Sequence, residues 1–125
     1  MISVKDALDI HDLLIEKFGG KSGIRDTGLL ESALARPFST FDGNELYSSV
    51  EEKAAAIIES ILINHPFMDG NKRTGYVLMR LLLLNNYLDI NATEDDKYTF
   101  VIMVASGKLK YDGILKWIKN HVEKY

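Results

Sequence analysis

The sequence predicts an all-α fold: one domain, residues 1–125, built as a bundle of about six helices around a central apolar helix. Three observations carry this. Apolar residues recur at helical spacing in window after window. Side chains that cap helices stand just ahead of most of those windows, and Gly, Asn or Pro stands just after them. Nowhere does a period-two run of β-branched and aromatic residues compete.

Ser3 opens the first helix, with Asp6 three positions on as the acid of a capping box. Val4, Ala7, Leu8, His11, Leu14, Ile15 and Phe18 share its apolar face, and Gly19-Gly20 end it. His11 lies on that stripe and reads as a histidine at the edge of the core. Three glycines between Gly19 and Arg25 make that stretch a loop. Asp26 caps a short second helix through Leu29, Leu30, Ala33 and Leu34, which Arg36-Pro37 stop, because proline disfavours the α conformation in the residue before it. Phe38 to Tyr47 is irregular, with Asp42-Gly43-Asn44 as its turn. Both loops are either lips of a site or plain connectors.

Ser48 or Ser49, each with a glutamate three residues later (Glu51, Glu52), caps the third helix. Val50, Ala54, Ile57, Ile58, Ile61 and Leu62 form its apolar face. His65 falls next on the same side, at the core-facing edge of the helix end, where packing is expected to fix its rotamer. The fourth helix, about Asn71 to Asn85, is apolar almost all round after Tyr76. Such a helix is buried on most faces, so it is expected to be the central one. Gly75 costs it about 1 kcal/mol against alanine, which a close approach by a neighbouring helix would explain. Thr93 opens a fifth helix through Phe100, Val101, Val104 and Ala105, closed by Gly107. Asp112 is expected to cap a sixth, with Ile114, Leu115, Ile118 and Val122 inward and Trp117 half buried.

Composition narrows the function. Hydrophobic residues are 46% and charged residues 26%, the balance of a soluble globular chain. A net charge of −3 gives no electrostatic case for nucleic acid or an anionic membrane. Without cysteine there is no disulfide and no thiolate chemistry. The longest apolar run, Tyr76 to Leu84, is broken by Arg80 and too short to span a bilayer. Met1 leads into Ser3-Val4-Lys5-Asp6 with no basic and then apolar leader, so the cytoplasm is the expected location.

The chemistry is concentrated in His65-Pro66-Phe67-Met68-Asp69-Gly70-Asn71-Lys72-Arg73-Thr74-Gly75. Pro66 ends the third helix, and Asp69-Gly70-Asn71 turn the chain into the fourth. A helix N-terminus presents unpaired backbone N–H groups and a partial positive charge, which together attract phosphate. Lys72 and Arg73 in that first turn oppose the dipole, each at a cost of roughly 0.3–1 kcal/mol. A bound polyphosphate reverses that sign. Asp69 supplies the kind of oxygen ligand that Mg²⁺ takes beside substrate phosphates. His65 is placed to serve as a general base, and Phe67 reads as the apolar pin that fastens the loop to the core. Thr74 either helps at the helix start or is an exposed cap.

This run resembles the motif of the Fic/Doc family, HPFx(D/E)GN followed by G-R or K-R. His65 through Asn71 match its first seven positions and Arg73 its last. Lys72 stands where the AMP-transferring branch carries glycine and where the Doc (death-on-curing) toxin branch carries lysine. Helix order and chain length are similar to a stand-alone Doc-type protein.

The resemblance implies a Mg²⁺- and ATP-dependent transferase acting on a protein hydroxyl. In that picture His65 takes the proton of a target Ser or Thr, and Asp69 holds the metal. The N–H groups of Gly70 and Asn71, with the Asn71 side chain, cradle phosphates, and Lys72 and Arg73 clamp the charge in transit. Lysine rather than glycine after Asn71 fills the space for a triphosphate tail, which fits an inverted nucleotide presenting its γ-phosphate, and hence a kinase. AMP transfer to a protein hydroxyl is the alternative; a non-catalytic helical binding module is the second, and the intact His65, Asp69, Asn71 and Arg73 set argues against it. For the Doc branch the resemblance implies a translation factor as target, elongation factor Tu by analogy, and growth arrest as the result.

Many relatives restrain themselves with a helix bearing (S/T)xxxE(G/N). Thr27 to Glu31 and Ser48 to Glu52 have the spacing, but Ser32 and Lys53 follow where Gly or Asn is required. A separate antitoxin is therefore expected, supplying an amphipathic helix that lies in an apolar groove beside the motif and covers Arg73 or the site.

Overall fold

A computed structural model describes the whole chain, Met1–Tyr125. Its helices are α1 (Val4–Phe18), α2 (Thr27–Ala35), α3 (Val50–Asn64), α4 (Asn71–Leu84), α5 (Glu94–Ala105) and α6 (Tyr111–His121), with a 3-10 turn at Arg36–Phe38 after α2. The six expected helices are present. Ser3 and Ser49 each close a capping box, with Asp6 and Glu52 respectively, while Asp26 and Thr93 cap α2 and α5. Asp112 does not cap α6: the helix starts two residues earlier than that cap implies, at Tyr111, and Lys110 precedes it without a side-chain cap. Asp112 instead sits in the first turn, where its charge suits the helix dipole.

Four short strands are also present, which the sequence reading did not anticipate. β1 (Thr40–Phe41) pairs antiparallel with β2 (Asn44–Glu45), and β3 (Leu88–Ile90) with β4 (Val122–Lys124). Two or three residues are too few to show a period of two, so no pattern announced them. The turn between β1 and β2 is the one expected at Asp42-Gly43, both with positive φ (53° and 79°), as tight hairpins of this hand require. The second ribbon ties the end of α6 to the end of α4.

The centre of the bundle is α3 rather than α4. α3 packs against α2, the 3-10 turn, α4, α5 and α6, whereas α4 meets α3, α1, α5 and β3. Ala54, Ala55 and Ala56 are fully buried beside Ile57, Ile58, Ile61 and Leu62. Small side chains let neighbours approach on several sides, yet they score as only mildly apolar, so hydropathy points to the leucine-rich helix instead. α4 keeps an exposed side, where Arg80 holds Asp89 through two bonds of 2.8 and 2.9 Å.

The two helices approach closely at Gly75. A Cβ there would lie 2.3 Å from Leu62 Cδ1 and 3.2 Å from Ile61 Cγ2. The expected close approach is therefore real. Gly75→Val is expected to destabilise the protein by about 2–3 kcal/mol through overpacking. Urea denaturation measures it, and a wild-type midpoint would mean that α3 and α4 have slack there.

Candidate active site

The motif links the two most tightly packed helices. α3 ends at His65, which takes the left-handed conformation (φ 49°, ψ 62°), and α4 starts after Gly70 (φ 74°). Between them, Phe67 is 1% exposed and anchors the loop, as expected. Its partner comes from α1: the His11 ring lies parallel to the Phe67 ring, centroids 4.0 Å apart. His11, also 1% exposed, places Nε2 2.7 Å from the Asp69 carbonyl oxygen. With Nε2 protonated, that ring donates to the backbone of the loop at one edge and packs on the loop's anchor with its face. The sequence reading put His11 at the edge of the core, whereas it is fully buried and makes this second contact, for which a lone histidine on an apolar stripe carries no signal.

Asn71 closes the loop from inside. Its Oδ1 accepts the Phe67 N–H and its Nδ2 donates to the Phe67 carbonyl, both at 3.0 Å. The carboxamide is thus engaged within the loop, where it was expected to face phosphate; only the Asn71 backbone N–H remains for a ligand. Asparagine's habit of bonding nearby backbone was the available clue. Thr74 also departs from expectation. It is fully buried, and its hydroxyl has no hydrogen-bond partner in the protein.

The α1–α2 loop braces the motif from the other side. Met68 N–H donates to Gly23 O (3.0 Å), and the N–H groups of Arg25 and Asp26 donate to Pro66 O (2.8 and 3.1 Å). The Asp69 carboxylate accepts the Lys21 N–H at 3.2 Å and the Gly70 N–H at 2.9 Å. Those two N–H groups, Lys21's first, hold its carboxyl below the usual carboxylate range. Gly20 makes room for this. It has a φ of 118°, and a Cβ there would stand 2.8 Å from Asp69 Oδ2.

No side chain caps α4 at Gly70, unlike the four helices capped by Ser3, Asp26, Ser49 and Thr93. The first backbone donor to find an acceptor is Thr74 N, on Gly70 O. The N–H groups of Asn71, Lys72 and Arg73 are left at the rim of a cleft of about 650 Å³. His65, Asp69, Gly70, Asn71, Lys72 and Arg73 all line this cleft, so the structure gathers every site residue expected from the sequence. His65 is exposed and its ring makes no hydrogen bond within the protein, so packing does not fix its rotamer as expected. The left-handed turn at the helix end swings it away from the apolar face it would otherwise continue. Arg73 rests its guanidinium over the Phe18 ring, 4.2 Å from the centroid.

The rest of the wall is largely apolar and was not foreseen. α1 contributes Leu14 and Phe18; α5 contributes Tyr98, Val101 and Ile102, with the charged Glu94 and Lys97 at its start. Tyr76 of α4 also lines it, and burial pushes its phenol up to about 12. Nothing in the local sequence of α5 marks it as part of a site; only the packing of α5 beside α4 does so.

No group of three His, Asp or Glu side chains is placed to hold a metal by itself. Asp69 offers one exposed carboxylate beside two cations and a row of N–H groups. That donor set suits Mg²⁺ arriving with a polyphosphate, which would complete its coordination, and does not suit an ion held by protein alone. No helix is long and apolar enough to cross a membrane.

The Fic/DOC family matches residues 1–83, which hold α1 to α3, the motif and nearly all of α4. The chain is 40% identical over 91 residues to "Toxin Doc" of Mycolicibacterium smegmatis, covering 70% of each chain. It is 28% identical over 89 residues to "Protein kinase doc" of Escherichia phage P1, covering 71% of this chain and 70% of that one. The matched stretch contains the uncapped α4, its two cations and the braced loop, and on these grounds the chain belongs to the Fic/Doc family, among its Doc toxins.

Proposed function

We propose that the protein is the toxin of a toxin–antitoxin pair. Its activity is that of a Mg²⁺-dependent kinase, moving the γ-phosphate of ATP to a Ser or Thr hydroxyl of a translation factor, with elongation factor Tu the expected target. The observation that carries this is the uncapped start of α4, where Lys72 and Arg73 face a cleft shared with His65 and with the exposed carboxylate of Asp69. Two relatives point the same way, one called a Doc toxin and the other a protein kinase.

The chain's own groups divide the work. His65 accepts the proton of the attacking hydroxyl as its oxygen forms a bond to the γ-phosphorus and the bond to the β–γ bridging oxygen breaks, releasing ADP. Asp69, whose carboxyl backbone N–H groups hold below the usual range, is the residue that would hold Mg²⁺. The ion would supply positive charge to offset that of the phosphate in transfer. The first-turn N–H groups of α4 hold phosphate oxygens, and Lys72 and Arg73 stabilise the charge that develops on transfer. Arg73 is exposed, with its guanidinium resting over Phe18 at the edge of the same cleft.

The apolar wall supplied by Leu14, Phe18, Val101 and Ile102 supports an antitoxin segment that lies as an amphipathic helix beside the motif, with an acidic group toward Arg73. Neither internal glutamate considered above lines the cleft: Glu31 is on α2, and Glu52 is engaged in the capping box of α3.

Intact-mass measurement of elongation factor Tu after incubation with the protein, ATP and Mg²⁺ tests the reading. A gain of one phosphate is expected; a gain of one AMP would replace kinase with adenylyl transfer, and no gain would remove this target. Lys72→Gly is expected to shift the product toward the AMP adduct, since it opens the start of α4 to a triphosphate tail. Unchanged phosphorylation with no AMP adduct would show that Lys72 does not select the reaction.

A further inference from the structure

We infer that Arg25 is a positioning residue for His65: its guanidinium holds the stretch of backbone that carries the imidazole in the orientation required for proton transfer. The inference rests on His65 acting as the base.

No hydrogen bond and no aromatic contact fixes the His65 ring. The ring is exposed and unbonded, so its position follows from the backbone beneath it. That backbone is in the left-handed region, which side-chain-bearing residues resist and which persists where surroundings over-determine it. Arg25 provides the determination. Its Nε donates to the His65 carbonyl at 2.7 Å and its Nη2 to the Asn64 carbonyl at 2.6 Å. The Arg25 and Asp26 N–H groups take the next carbonyl, that of Pro66. Three consecutive carbonyls through the site's left-handed turn therefore answer to two adjacent residues of another loop. Asp26 is itself fixed as the cap of α2.

Arg25 forms no ion pair with any carboxylate. Both hydrogen bonds of its planar fork go to these oxygens, which α3 would otherwise leave without partners at its C-terminus. A helix cap alone would add stability and leave turnover untouched. A positioning role makes a different set of demands.

Arg25→Ala is expected to lower kcat on the order of 30–100-fold, the scale of a small misplacement of a reacting group, with KM for ATP within about twofold of wild type. Arg25→Lys, which reaches one carbonyl at a time, is expected to fall between. Guanidinium ion at millimolar concentration should restore part of the kcat lost in Arg25→Ala. A second measurement needs neither nucleotide nor target. The chain has three histidines, so the ring signals of His11, His65 and His121 can be separated by NMR. In Arg25→Ala the His65 signals are expected to shift or broaden while those of His11 and His121 stay. Unmoved His65 signals together with kcat within twofold of wild type would overturn the proposal. So would equal losses of kcat and of ATP affinity, which would mark a general loosening of the loop. His65→Ala serves as the control for the underlying reading: if that variant still transfers phosphate, the base assignment fails, while the NMR comparison still decides whether Arg25 positions the ring.

Discussion

His65→Ala is expected to abolish phosphate transfer, with a loss of at least 10²- to 10⁴-fold, the usual contribution of a general base. Its effect on stability is expected to stay within about 0.5 kcal/mol, as for surface substitutions away from packed features. The two halves of this result follow from one fact, the exposure of the ring. No core contact is lost, and no protein hydrogen bond is broken. Expression gives a second readout: the wild-type chain should arrest growth, and His65→Ala should not, at equal soluble yield. Near wild-type transfer by the variant would sink the role given to His65, and unimpeded growth with abundant wild-type protein would sink the toxin assignment.

Phe67→Ala is expected to be the most destabilising single change in the site, by about 3–5 kcal/mol. On a chain of this size that lowers Tm by on the order of 15 °C. The side chain is buried, stacked on His11, and pinned through its own N–H and carbonyl by Asn71. Removing it leaves a void flanked by a histidine whose ring loses its stacking partner. Met68, the very next residue, is exposed and provides the comparison. Met68→Ala is expected to change stability by no more than about 0.5 kcal/mol. Calorimetry of the pair decides: similar Tm values would mean that Phe67 does not anchor the loop.

Local chemistry made much of this legible beforehand. Caps and breakers are decided within a few residues, so Ser3, Asp26, Ser49, Thr93, Gly19 and Pro66 placed the helices closely. That His65 and Asp69 to Arg73 would line one cleft could be foreseen, because a turn that joins two helices brings its own neighbours together. What stayed hidden depends on residues distant in sequence. The His11 contact to Asp69 spans 58 positions and the Arg25 contact to His65 spans 40. Neither residue is unusual in its own segment. The rank of α3 over α4 was missed for a related reason: burial follows from how many neighbours can approach, and alanine allows approach without advertising it. Left-handed backbone at His65 was half visible, since Pro66 excluded the helical conformation without saying which alternative would be taken.

The close packing of α3 on α4 has a consequence for motion. Segments open in proportion to how little they bury, so amides of these two helices should exchange with solvent only near global unfolding, while α5 and the α1–α2 loop open earlier. The chemical groups stand on the slow-opening pair, at the end of one helix and the start of the other. The apolar wall across from them belongs to α1 and α5, whose outer residues Phe18, Tyr98 and Ile102 are exposed. A ligand that spans the cleft would therefore join the slow-opening half to the half expected to open earlier, and would lose entropy in ordering the second. A first ligand that orders α5 would lower that cost for a second, so under the proposed function nucleotide and protein partners would be coupled through order alone, with no change in the geometry of the motif.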